Sequence, residues 1–172
     1  MFRKVIKYIP STILFGEDES RFKWNTFDDH LIGGRSLSLM EQRESVIKYS
    51  GTIKNLNNSS WSCLRSNKLD QDISGYKGLK IKLKPDKNTY SFQMEYNQGW
   101  QDEKCSCLIQ AIPDQWNVVD LKFENFQHIQ FGKNLKQDLN PSVLNHILRY
   151  NFYVTRKSTG SFNLEIEYIQ FY

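Results

Sequence analysis

Alanine is almost missing from these 172 residues, with Ala111 standing alone. Its codons are GC-rich, while the plentiful Lys, Asn, Ile, Phe and Tyr use AT-rich ones. The composition therefore points to an AT-rich genome; organelles, plastids especially, fit that bias, as do some bacteria and protists. Long hydrophobic runs are missing too. No stretch nears the roughly 18 apolar residues that cross a bilayer, so no transmembrane span is expected. The opening "MFRKVIKYIPSTILF" is basic and partly apolar, but its lack of a long apolar core and a small-residue cleavage site argues against a secretory signal. Cysteine is scarce and odd in number, at Cys63, Cys105 and Cys107, which fits a reducing compartment rather than a disulfide scaffold. Cys105 and Cys107 lie two apart, on one face of a strand, and are expected as buried free thiols. His30, His128 and His146 show no metal-ligand spacing, so no metal and no cofactor is expected. Blocks of basic residues are absent as well. The formal net charge is +4, and Lys77, Lys80, Lys82, Lys84 and Lys87 come singly, as on a solvated strand face and not a nucleic-acid patch.

What the chain has in quantity is aromatic residues, 14%, and alternation. "GLKIKLKP" sets Leu79, Ile81 and Leu83 against Lys80, Lys82 and Lys84. "YSFQMEY" sets Tyr90, Phe92, Met94 and Tyr96 against Ser91, Gln93 and Glu95. "FNLEIEYIQFY" sets Phe162, Leu164, Ile166 and Tyr168 against Asn163, Glu165 and Glu167, and "CSCLIQAI", "WNVVDLKF" and "RYNFYVT" keep the habit. A period of two predicts half-buried antiparallel strands, apolar side inward and polar side to water. "NLNNSS", "SGYKG", "KPDKN" and "KSTGS" punctuate them as turns. One short helix is expected at "NPSVLNHIL", with Asn140 as cap, Pro141 at the first helical position, and a packed stripe of Val143, Leu144, Ile147 and Leu148. Eight or nine strands and one helix predict an all-β protein: a single antiparallel β-sandwich of jelly-roll type. Residues 1–21 form an N-terminal extension with a first strand, and 22–172 the sandwich.

The chemically richest stretch is "WNTFDDHLIGGRSLS", Trp24 to Ser38. As an active site it is poor. Asp28 and Asp29, if extended, point to opposite faces, His30 lacks a Ser or Cys nucleophile in a recognisable elbow, and "IGGRS" is no phosphate loop. A small hydrolase or lyase is therefore the third reading, and no catalytic residue is assigned. As a built loop the stretch makes sense: Gly33 and Gly34 bend it, and Asp28 or Asp29 accepts backbone N–H bonds across the bend or pairs with Arg35, Ser36 closing the loop. Trp24 and Trp61 are large enough to plug the ends of the core. For ligand or partner contact the candidates are Trp24, Arg35, Trp61, Arg65 and Trp100, with Asn57 beside them. Trp and Arg are the usual anchors of protein interfaces, which favours protein docking; sugar stacking is the alternative.

"WNTFDDHLIGGRS" also resembles the W-x-x-x-x-D-x-x-x-G-G-x-S signature of the complex I intermediate-associated protein family, the thirty-kilodalton assembly factor of respiratory complex I. "YSGTIKNLNNSSWSCLRS", "DISGYKGLKIKLK", "WNVVDLKFENF" and "GSFNLEIEYIQF" resemble further family segments in the right order, over about residues 22 to 170. The resemblance implies a galactose-binding-like fold. It also implies a non-enzymatic assembly factor that docks subunits or assembly intermediates of a respiratory or photosynthetic membrane complex. Such a protein is soluble or peripherally attached, and organellar, with plastid favoured over mitochondrion. A carbohydrate-binding module of the galactose-binding-like class is the alternative function. Three departures stand out: Ile32 replaces a Met, "KPDKN" replaces a Gly-Asp-Gly turn, and Lys122 replaces a Pro.

Overall fold

The alternating segments stack as two antiparallel sheets in a computed structural model that describes residues 7–15, 21–54, 60–155 and 159–172. In chain order the strands are β1 (Thr12–Leu14), β2 (Trp24–Asp28), β3 (Leu37–Arg43), β4 (Val46–Ile53), β5 (Trp61–Ser66), β6 (Gly78–Pro85) and β7 (Tyr90–Glu95). They continue as β8 (Lys104–Ile109), β9 (Asn117–Lys122), β10 (Gln127–Gln130), β11 (Lys133–Asp138), β12 (Arg149–Thr155) and β13 (Gly160–Phe171). One sheet has seven strands in the order β11-β10-β8-β7-β12-β5-β2. The other has six, in the order β3-β4-β13-β6-β9, with β1 on β13 beyond the end of β4.

β6 shows how the sequence builds this. Leu79, Ile81 and Leu83 are fully buried between the sheets, while Lys80, Lys82 and Lys84 take the outer face. There Lys82 Nζ lies 2.8 Å from Glu167 and Lys84 Nζ 3.5 Å from Glu165, a solvated row of opposite charges. From the seven-stranded sheet, Phe92, Met94, Tyr150, Phe152 and Val154 meet them in the core. Each such side chain contributes about 1.5–3 kcal/mol by leaving water, and the aromatic pairs add their edge and stacking contacts.

Four expectations change in the structure. The described residues hold thirteen strands, not eight or nine; among the additional ones, the polar segments "QHIQ" and "KNLKQD" pair as β10 and β11 without any apolar alternation. The expected helix is a 3₁₀ segment, Pro141–Asn145; Asn140 caps it by accepting from Ser142 N–H, and Leu144, Ile147 and Leu148 are buried. In β13 the register against β6 shifts between Ile166 and Tyr168, and this bulge flips the phase. Ile169 and Phe171 therefore enter the core in place of Tyr168. Finally, the polar side of β7 does not face open water: Gln93 and Glu95 are both buried.

Candidate functional site

The Trp24–Ser38 stretch runs out of β2 into a 3₁₀ turn, Asp29–Ile32, and closes on Gly33 at φ +81°. That left-handed geometry suits glycine. Gly34 donates its N–H to the Asp29 carbonyl at 2.9 Å, and a Cβ on it would sit 2.1 Å from the Asp29 carboxyl carbon. The buried Asp29 carboxylate accepts from Ser36 N–H (3.0 Å), Ser36 O–H (2.8 Å) and Trp61 N–H (3.2 Å). Asp28 accepts from Ser38 N–H (3.0 Å) and Ser38 O–H (2.6 Å). Both carboxylates therefore tie loop to strand. Arg35 is exposed and pairs with neither, and His30 is exposed.

A cleft opens beside this stretch, lined in part by its Phe27 and Ile32, on the face of the seven-stranded sheet that looks away from the core. Alternation puts Leu64, Phe92, Met94 and Phe152 inside, so Cys63, Arg65, Gln93, Glu95, Asn151 and Tyr153 share the opposite face. Antiparallel register aligns them in tiers: Arg65 beside Asn151 beside Gln93, and Glu95 beside Lys104. Together with rim residues they enclose a cleft of about 880 Å³. One wall is aromatic. Trp61 stacks on Tyr153 (5.5 Å between centroids), leans on Phe27 (5.6 Å) and meets Trp100 at 6.2 Å. The guanidinium of Arg65 lies over the Phe27 ring at 5.0 Å.

The floor is charged. Glu95, only 4% exposed, accepts from Arg65 Nη2 at 2.6 Å and from Asn151 Nδ2 at 2.7 Å, and lies 3.7 Å from Lys104 Nζ. Lys104 also donates to the Trp100 carbonyl at 2.8 Å, which ties the loop bearing that ring to the floor. Burial pushes the Lys104 ammonium below its ordinary range, with Glu95 opposing. Among the described lining residues, three cationic side chains, Arg65, Lys87 and Lys104, stand against the single carboxylate of Glu95. Cys63 also lines it, but burial drives its thiol up to about 12, leaving an inert S–H. Cys105 and Cys107 are likewise free and buried, pushed up by burial to about 12 and about 11. Among the described residues no cluster of three or more His, Cys, Asp or Glu is placed to hold a metal.

Residues 13–166 match the family model of complex I intermediate-associated protein 30 (CIA30). The chain belongs to this family. No curated protein matches it in sequence. Among solved structures, the CIA30-family chain is similar to the family 11 carbohydrate-binding module of the cellulosomal cellulase Lic26A-Cel5E of Clostridium thermocellum. That match has TM-score 0.65 and 14% identity, covering 92% of this chain and 93% of that one. The family 11 module from Clostridium thermocellum in complex with a β-1,3-1,4-mixed-linked tetrasaccharide is similar at TM-score 0.64 and 15% identity, over 93% and 95% of the two chains. At such identities the likeness is one of fold, a galactose-binding-like β-sandwich.

Within the CIA30 fold the candidate contact residues separate. Trp61, Arg65 and Trp100 come together in the cleft. Trp24 does not: it packs in the core against Phe15, Phe22 and Phe152, where it touches no cleft residue of that set. Arg35 does not line the cleft, and Asn57 lies outside the described residues. Asp28, Asp29, Gly33, Gly34 and Ser36 form the loop network beside β3. The cleft residues that sequence reasoning missed are Phe27, Glu95, Lys104, Asn151 and Tyr153. Glu95 sits on the polar side of an alternating strand, where a solvated role is the default; only the pairing of β7 with β12 and β8 shows otherwise. No helix of the described residues is long and apolar enough to cross a membrane.

Proposed function

We propose that this CIA30-family domain is a non-catalytic docking module that holds subunits or assembly intermediates of a membrane-bound complex. The family is named for association with complex I intermediates, and that supports a client of complex I type. The AT-rich composition supports an organellar setting, with a photosynthetic client if the gene is plastid-encoded. The observation that carries the reading is the cleft itself. It gathers Trp61, Trp100, Phe27 and Arg65 over a half-desolvated ionic floor, the residue types that anchor protein partners. Its Cys63 thiol is pushed up to about 12 by burial, His30 is not among the described lining residues, and Lys104 is engaged with Glu95 and the Trp100 carbonyl, which favours docking over catalysis.

The carbohydrate-binding reading has the fold likeness and the Trp-rich wall in its favour. Against it stands the state of the rings. Sugars stack on an open aromatic face, and Trp61 is 7% exposed with Tyr153, Phe27 and Trp100 packed around it. Affinity purification of the tagged chain from native membranes tests the choice. Subunits of complex I or of a photosynthetic complex are expected with the wild type and depleted with Trp100→Ala. Recovery of no complex subunit, together with binding of a mixed-linked glucan tetrasaccharide, would replace docking by sugar binding.

A further inference from the structure

The cleft is unevenly finished, and the unevenness has a chemical direction. Glu95 is the single anion among the described lining residues and is spent on Arg65, Asn151 and Lys104. Lys87 faces the same space with no carboxylate of the described residues within pairing distance. The described lining therefore holds more positive charge than it neutralises. Asn151, 2% exposed, commits its Nδ2 to Glu95 and leaves Oδ1 without a partner, and Arg65 Nε is also unpartnered. Both of these atoms lie beneath the cleft surface, so the charge open to a ligand is that of the lysines. Two apolar side chains stand out at the rim: Ile32, 51% exposed, and Phe131, 70% exposed.

Phe131 is the more telling of the two. β10 and β11 are joined by the two-residue loop Phe131–Gly132, with Gln130 paired to Lys133 and φ of +50° and +71° at the loop residues. A hairpin loop with both φ positive favours Asn-Gly, and an aromatic there carries local strain. An exposed ring held in a strained turn at the mouth of a cleft is an apolar contact waiting for a partner.

We infer that the cleft takes an extended peptide segment of the client that carries an acidic side chain next to a large apolar one. The carboxylate sits beside Lys87 and Lys104, and the apolar side chain lies against Phe131 and Ile32. This rests on the docking reading and names the chemistry of the docked segment. A neutral glycan fits less well, because it would leave the surplus positive charge of the lining unanswered. Surplus charge supplies specificity for the acidic residue, since Lys87 has no carboxylate partner among the described residues and a charge-assisted hydrogen bond from it favours an anion.

Selection of a displayed random dodecapeptide library on the immobilised full chain tests the inference. The expected output is enrichment of Asp or Glu adjacent to Leu, Phe, Ile or Trp. A selected peptide should bind about tenfold more tightly than its Asn or Gln twin, in keeping with a charge-assisted contact, and the gap should shrink with added salt. Lys87→Gln, an exposed position, should close most of that gap. Phe131→Asn suits the turn better than Phe, so the fold is kept while the apolar preference disappears. Lys82→Gln, on the other sheet, should change nothing. No acidic enrichment, equal binding of the amide twin, or unchanged selection by both cleft variants would overturn the inference. If the chain still captured its complex subunits in that case, the docking reading would stand without it. Tetrasaccharide binding with a silent peptide library would remove both.

Discussion

Asp29 takes three hydrogen bonds from two different elements, Ser36 in its own loop and Trp61 at the start of β5. It thereby fastens the edge strand β2 to the strand that carries the cleft wall. Removing a buried acceptor leaves its donors unsatisfied at about 1–3 kcal/mol each, partly relieved by entering water. Asp29→Ala is therefore expected to lower unfolding stability by about 3 kcal/mol in urea titration, a loss typical of a broken buried network. Asp29→Asn keeps one acceptor oxygen and should lose less. If the Ala variant is as stable as the wild type, the loop is not held by this carboxylate. The glycine pair and the neighbouring carboxylates announced a loop in the sequence, because few other functions need Gly-Gly after Asp-Asp. Which donors Asp29 would meet was not legible there, since Trp61 lies 32 positions away.

β3 and β4 show what an element owes to its neighbours. At Gly51 in β4 an added Cβ would lie 2.2 Å from the Leu37 carbonyl oxygen and 2.8 Å from Ser38 Cα, both backbone atoms of β3. Backbone cannot swing aside as a side chain does, so β3, an edge strand, must move. Gly51→Ala is expected to cost about 1–3 kcal/mol, as overpacking does, with the damage confined to one edge. Hydrogen exchange should show lost protection over Leu37–Arg43, while β7 and β12 exchange as in the wild type. Equal protection of β3 in both proteins would mean that the approach relaxes without strand displacement. Alternation alone locates β6, β7 and β12, because their inner sides are uniformly apolar. It fails at β13, where the bulge against β6 resets the phase, and at β10 and β11, which lack an apolar side and are placed by the pairing of β10 with β8 and of β11 with β10.

At the scale of the molecule, the two outer faces do opposite things with their charges. On the six-stranded sheet, lysines and glutamates alternate in the open and neutralise one another, which adds little to stability. On the seven-stranded sheet the charges are half-buried beneath aromatic rings, and the balance tips positive. The described cleft lining thus sets three cations against one carboxylate, a local excess invisible in a composition count. The two tryptophans of the cleft divide in the same way. Trp61 is packed on three sides and donates its backbone N–H to Asp29, so it belongs to the scaffold as much as to the wall. Trp100 is half-buried, on a loop held by Lys104 and by the Gly99–Asp102 turn. Trp61→Ala should therefore destabilise the fold by about 3–5 kcal/mol, the usual loss for a buried Trp. Trp100→Ala should cost much less stability and yet remove client capture. Thermal melts and membrane pull-downs of the two variants, run side by side, check this. If Trp100→Ala melts as low as Trp61→Ala, the loop is part of the core and the wall has no separable binding role. If it melts near the wild type and still captures the client, docking uses another face.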